Sequence, residues 1–437
     1  MAVRRNQGNT VGCRIAFCRC ATVLSTLILL RSAVAAPTKP VVIKQSIRNL
    51  LKIDKDYIAT LSGDDAVLKP GMKVDVYLQS GKRFDGVEIT ELLPGKQKNS
   101  FKVLGCTSAK GGKQKLQANT LLHISADDRG FEIVQDAATK AFMILDLQRR
   151  DEQAKKRLAA SGHGLWEEPS AEERTEEIEK SKALFKKAKE LFPDHDFHFQ
   201  ETEYFLFYTD MPVDQIAGYI ANLDTMYRQL CMAFGILPGK NIWKGKCPVI
   251  AFLDSDTFHR FEVAVMRNQT PQGAQGLCHT VSDGSVTITV YRGNDPDYFA
   301  TVLVHETAHG FIHRLRSNVN IVSWINEGIA DWIAGVAVPS SHVVARRQSD
   351  GVAFMRSNGS MGGFFDADRR LTPTDYGIAS NLTQFMLQTD PNLYRAFLLA
   401  IKDGYTIEES LKLTYECSLV GLVENFGASF GIPNLRP

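Results

Sequence analysis

The sequence predicts an α+β protein: a small all-β barrel, then a charged helical linker, then a mixed α/β domain that ends in helices. Three observations predict it. Residues 41–130 alternate apolar and polar positions in short runs separated by glycine turns. Residues 137–192 carry charge of both signs at helical spacing. From residue 197 onward, apolar strand-like runs give way to amphipathic helices that continue to the C-terminus. With 44% hydrophobic and 23% charged residues in 437, the composition is that of an ordinary globular chain, long enough for two or three domains.

The first 36 residues read as an export signal. Arg4, Arg5, Arg14 and Arg19 form a positive region, residues 21–30 carry no charge, and small residues up to Ala35 and Ala36 fit a cleavage site. A membrane span needs about 20 apolar residues, and Arg31 ends this run too early. The mature chain is expected to be secreted or periplasmic, without stable membrane insertion. The formal charge of +2 comes from 51 Lys+Arg and 49 Asp+Glu; taking the five arginines of residues 1–36 from the 51 leaves 46 bases against 49 acids, a net charge of −3. A nucleic-acid binder keeps a basic excess, so that class is set aside. Cys106, Cys231, Cys247, Cys278 and Cys417 follow the signal at spacings that fit no metal motif; an oxidising compartment permits disulfides but the sequence assigns none.

The barrel is read from residues 74–78, the turn Ser80-Gly81-Lys82, residues 84–89, the turn Pro94-Gly95, and short runs at 100–104, 115–116 and 121–124. The run from Pro70 through Ile89 resembles small barrels of the Sm-like kind, which implies a module that binds a further partner or acts as a spacer. In 137–192 the mixed charges predict solvated helices, interrupted by Gly162-His163-Gly164. Beyond 197, residues 203–208, 248–253 and 285–292 read as strands, the last being the most β-branched, while 213–234 and 254–266 read as helices.

The chemistry concentrates between residues 305 and 331. His305-Glu306-Thr307-Ala308-His309 lies in a helix that Asp295 can cap, with Pro296 at its first position. Residues four apart share a helix face, so His305 and His309 can point at one metal ion. Glu306 is rotated by about 100°; it is poorly placed as a ligand but well placed to take a proton from water. Two imidazoles and a carboxylate base are the set that metal-assisted hydrolysis requires. A third ligand is available in Trp324-Ile325-Asn326-Glu327-Gly328-Ile329-Ala330-Asp331, a second helix that Ser323 can cap. Asp331 follows Glu327 by four residues and can receive a hydrogen bond from a ligand imidazole. Taken alone, Glu327 reads as a surface carboxylate near a helix N-terminus.

Together these two helices resemble the gluzincin metallopeptidases, the group of thermolysin and aminopeptidase N. More closely they resemble the bacterial peptidase-MA-like proteins, whose second helix reads W-x-x-E-G-x-A-[ED]. The resemblance spans residues 200–430 and is specific over 299–336. It implies a thermolysin-like zincin domain over 197–437, one zinc ion on His305, His309 and Glu327, Glu306 as general base, Asp331 as support, and a peptide or protein substrate. It also implies that the strand before the helix, through Thr287, Ile288 and Val290, is the edge to which extended substrate adds. Tyr376 is the candidate oxyanion stabiliser, with His313 as competitor and Tyr291 and Tyr405 as outsiders. A third histidine six residues after His309 would mark a metzincin, and Leu315 stands there. No G-x-M-E-N exopeptidase signature precedes the helix, so endopeptidase activity is the expectation. The alternative is a binding or scaffold protein that keeps the fold without catalysis.

Overall fold

A computed structural model describes residues 43–437 apart from 128, 238, 270–272 and 367–368. The expected export signal, residues 1–36, lies outside the described residues. Among those described, no helix is long and apolar enough to cross a membrane.

The fold is mixed α+β, with a closed six-stranded antiparallel barrel and a helical C-terminal region. The first strands are β1 (Arg48–Asn49), β2 (Lys73–Leu78), β3 (Arg83–Pro94), β4 (Ser100–Thr107), β5 (Lys113–Gln117), β6 (Leu121–Ala126), β7 (Arg129–Gln135) and β8 (Phe142–Asp146). The ring runs β7-β6-β2-β3-β4-β8, and β8 closes it by pairing with both β4 and β7. Closure removes the open sheet edges. Alternation puts Val74, Val76, Val87, Ile89, Leu104, Ile124 and Phe131 inside. The barrel therefore runs past residue 130, to Asp146. Residues 137–146, read as the start of the helical stretch, form its last hairpin, because Phe142–Asp146 supplies the run of apolar residues that closure needs.

Helices α1 (Leu147–Ala160) and α2 (Ala171–Leu191) follow. They are packed rather than solvated. Ala154 and Leu158 of α1 are fully buried, and Phe185 and Ala188 of α2 join Phe192 against a sheet. The stripe is narrow and hidden among charges, which is why composition alone reads it as a linker. A capping box between Ser170 and Glu173 starts α2.

The second sheet comprises β9 (His198–Glu201), β10 (Phe205–Thr209), β11 (Cys247–Phe252), β12 (Gly276–Thr280) and β13 (Val286–Tyr291), in the order β12-β13-β11-β10-β9. The three inner strands are mutually parallel, and both edge strands are antiparallel to them. Phe205, Phe207, Val249 and Ala251 face one core, while Leu206, Ile250 and Phe252 face the other. A sheet buried on both faces needs continuous apolar strands, as these are. The helices α3 (Val213–Phe234), α4 (Ser255–Phe261), α5 (Pro296–Arg314), α6 (Ser323–Ala337), α7 (Val343–Asn358), α8 (Pro373–Thr389), α9 (Pro391–Lys402), α10 (Ile407–Thr414) and α11 (Leu419–Ser429) complete the fold. The helix read over 254–266 is α4 continued by a π turn, Glu262–Met266.

A buried ionic network ties the barrel to the helices. Arg48 donates to Asp54 at 2.5 Å and to Glu132 at 3.0 Å, and Glu132 also accepts from Arg395 of α9 at 2.8 Å. Asp403, 1% exposed, receives Arg150 of α1 at 2.8 Å and Arg316, which follows α5. Cys106, Cys231, Cys247 and Cys278 are free thiols.

Candidate metal centre

The centre stands on two consecutive helices. Asp295 caps α5 by accepting from the backbone N–H groups of Asp297 and Tyr298, with Pro296 in the first turn. Phe299, Leu303, Val304, Ala308 and Phe311 anchor α5 in the core, which fixes the stripe carrying His305 and His309. Helix α6 starts differently from the sequence expectation: the N–H groups of Ile325 and Asn326 both bond to the carbonyl of Val322, so Val322 holds the cap position and Ser323 is already helical.

Glycines set how closely α6 approaches its neighbours. A Cβ on Gly328 would lie 2.6 Å from the carbonyl oxygen of Ala379 on α8. A Cβ on Gly351 of α7 would lie 2.8 Å from the backbone nitrogen of Ile378, and one on Gly377 would overlap the carbonyl of Arg347. These contacts bring α7 and α8 against the end of α6 that carries Glu327. Gly310 in α5 makes room for the side chains of Val286, Cys278 and Trp243.

The imidazoles of His305 and His309 meet edge to face, their centroids 4.7 Å apart. One oxygen serves both: Glu327 Oε2 lies 3.1 Å from His305 Nε2 and 3.4 Å from His309 Nε2. The three ligand atoms lie within 4.8 Å of one another. A tetrahedral zinc ion with bonds of about 2.0–2.1 Å holds its ligand atoms about 3.3–3.4 Å apart. Two imidazole nitrogens and one carboxylate oxygen, with a fourth position left over, match the donor set of a catalytic zinc site. The residues fit the ion.

Asp331 lies one turn beyond Glu327 and is fully buried; its Oδ1 sits 2.9 Å from His305 Nδ1 and accepts from Arg347 at 2.8 Å. A carboxylate at Nδ1 keeps the proton there and leaves Nε2 as the ligating nitrogen. Burial presses the pKa of His305 down, but Asp331 and Glu327 outweigh it and hold it at about 10. The pKa of His309 is also raised: Glu327 overcomes burial there, against the opposing charge of His305. Burial pushes Glu327 up, yet the two imidazoles hold it well below the usual carboxylate range.

Arg347 was not legible as a site residue. Its guanidinium also sits 5.3 Å from the ring centroid of Tyr376, so one cation from α7 touches both the residue behind His305 and the candidate phenol. Tyr376, in the first turn of α8, has its ring centroid 6.1 Å from that of His305. Burial, then Glu327, Glu306 and Asp331, push its pKa up to about 12 against Arg347. The phenol thus stays protonated and able to donate at neutral pH. His313 is turned away: its Nε2 meets the Val281 carbonyl at 3.2 Å and its ring lies against Trp166. Tyr291 packs on Phe258, and Tyr405 lies under Arg157.

The edge-strand expectation is corrected. Thr287, Ile288 and Val290 lie on β13, which pairs with β11 on one side and β12 on the other, so it has no free edge. The free edge on this side is β12. A Cβ on Gly276 of that strand would lie 2.9 Å from Glu306 Cγ, so β12 approaches the half-buried Glu306 where a glycine stands. Behind β12, the fully buried Glu262 accepts from Thr289 at 2.6 Å and lies 3.1 Å from His279 Nε2. Glu262 sits in the π turn, a feature the apolar pattern of the sequence does not announce.

No protein-family model matches the chain, and no curated protein matches it. Among solved structures, the chain is similar to a functionally unknown conserved protein from Bacillus anthracis str. Ames, with 9% identity, 90% of this chain and 76% of that one covered, and a TM-score of 0.31. It is also similar to the ZmpB metallopeptidase from Clostridium perfringens, with 13% identity, 91% and 77% covered, and a TM-score of 0.29. Both similarities are distant, and neither bears on the chemistry.

Proposed function

We propose that the protein is an exported zinc-dependent metallopeptidase that hydrolyses internal bonds of peptide or protein substrates. The observation that carries this reading is the single carboxylate oxygen of Glu327, 3.1 and 3.4 Å from the two imidazole nitrogens of the HExxH helix, with Glu306 beside them. When bound, the ion supplies a Lewis acid that polarises the scissile carbonyl and eases deprotonation of the attacking water. Glu306 takes that proton and passes it to the leaving amine. Tyr376 donates to the oxyanion as charge develops there. An extended substrate adds to the free edge of β12 through backbone hydrogen bonds, with no side chain needed at Gly276. The export reading rests on residues 1–36; nucleic acid and stable membrane insertion have no part in it.

The test is Glu306→Gln in the mature chain, assayed for cleavage of a denatured protein and for bound metal. Cleavage should fall at least a thousandfold while about one zinc per chain is kept. Cleavage that persists in this variant refutes the role of Glu306. A wild type that holds zinc but cuts nothing turns the reading towards a binding protein.

A further inference from the structure

A cavity of about 550 Å³ lies between the barrel and the C-terminal end of α3, and it shares no residue with the metal centre. The β2–β3 turn and Leu122 form one wall; α3 and the chain after it form the other. Leu78, Leu122, Tyr204, Met232, Ile236 and Leu237 line it and are only half-buried. Three neutral polar side chains of the lining are each tied to nearby backbone. Gln45 donates to the Ile236 carbonyl at 3.2 Å, Gln79 donates to the Asn119 carbonyl at 2.6 Å, and Ser80 accepts from the Lys82 nitrogen at 3.4 Å. A peptide inside would need a partner for each backbone N–H and C=O, and the lining offers little polar surface. An unbranched hydrocarbon needs none.

The border is cationic. Lys44, Lys82, Arg228 and Lys240 are exposed around it, and no carboxylate belongs to the lining. Lys240 reaches Glu168 at 3.3 Å. Lys44, Lys82 and Arg228 make no ion pair among the described residues. An apolar interior with unpaired cations at its border complements a molecule with a long apolar body and one anionic end. The volume falls within the range of about 300–1,000 Å³ typical of small-molecule sites.

We propose that this cavity binds a single-chain anionic amphiphile of the free fatty acid class. The hydrocarbon lies against Leu78, Met232 and Ile236, and the carboxylate lies among Lys44, Lys82 and Arg228. This site is independent of the proposed peptidase activity.

The test is isothermal titration of the full mature chain with laurate and, separately, with 1-dodecanol, which has the chain without the charge. Laurate should bind once per chain, and the alcohol at least tenfold more weakly. Reversing two exposed cations together, Lys82→Glu with Arg228→Glu, should weaken laurate at least tenfold while metal content and circular dichroism stay those of wild type. A second variant, Ile236→Trp, should also lose laurate by filling the cavity. Absence of laurate binding to wild type overturns the proposal, as does equal binding of the alcohol or undiminished binding by the charge-reversed protein. Binding to phosphatidylglycerol vesicles without binding of laurate also overturns it, because the cations would then form a membrane-docking surface.

Discussion

Asp331→Asn isolates what the residue behind the metal centre contributes. Asp331 is fully buried, with His305 Nδ1 at 2.9 Å and Arg347 at 2.8 Å from the same oxygen. Asparagine keeps the shape and an acceptor oxygen but removes the charge that faces His305, while the bond from Arg347 still carries the guanidinium's charge. A hydrogen bond to a charged group contributes about 1.5–3 kcal/mol and a neutral one about 0.5–1.5. The difference at the His305 contact is therefore about 1–1.5 kcal/mol, or about tenfold in zinc affinity. That is the lower end of the 10–100-fold loss typical when a partner of a ligating histidine is changed. Competition with a chromophoric chelator, run over a pH series so that loss of the His305 proton is separated from the metal term, measures it, and circular dichroism establishes that the variant is folded. A folded Asp331→Asn protein that binds zinc within twofold of wild type would show that the Asp331–His305 contact does not tune the site, and would refute the reasoning.

Other expectations follow from the same geometry. Tyr376→Phe should lower kcat about 10–100-fold with KM and zinc content unchanged; steady-state kinetics reads this, and an unchanged kcat removes Tyr376 from the reaction. Zinc affinity should rise with pH by about tenfold per unit, because Asp331 and Glu327 outweigh burial and hold His305 at a pKa of about 10, and its Nε2 proton must leave before that nitrogen coordinates. The rise should continue to about pH 10, whereas an ordinary histidine levels off above about 6.5; a flat chelator competition above pH 7 contradicts the pairing. Gly328→Ala puts a methyl group 2.6 Å from the Ala379 carbonyl, where ordinary contact begins at 3.4 Å. Separating α6 from α8 by the difference should cost about 1–3 kcal/mol, seen as a lowered Tm. A Tm equal to wild type would show that the helices separate freely.

The metal centre was the most legible part of the chain because its logic is local. Helical spacing alone brings His305 to His309 and Glu327 to Asp331, and both pairs converge as that spacing implies. The parts that escaped depend on contacts distant in sequence. Arg347 meets Asp331 only through the packing of two separate helices, α7 on α6, and no spacing rule announces such a meeting. The resemblance puts the substrate edge at Thr287, Ile288 and Val290, the strong strand before the helix. Gly276–Thr280, with glycine and histidine among five residues, has little, and only its pairing with β13 makes it a strand. Charge density hid the apolar stripe of α2, and a π turn placed Glu262 behind β12.

The ionic network between barrel and helices bears on how this protein can change over evolutionary time. Arg48, Glu132 and Arg395 share their charges across the junction, and Asp403 binds Arg150 of α1 and Arg316, which follows α5. Losing one member of such a group leaves a buried charge uncompensated, at about 3–5 kcal/mol, a large share of a typical protein's stability. A single substitution there carries that cost unless acid and base change together. The barrel is therefore not a detachable accessory: exchanging it without its partners would strand Arg395 beside no carboxylate.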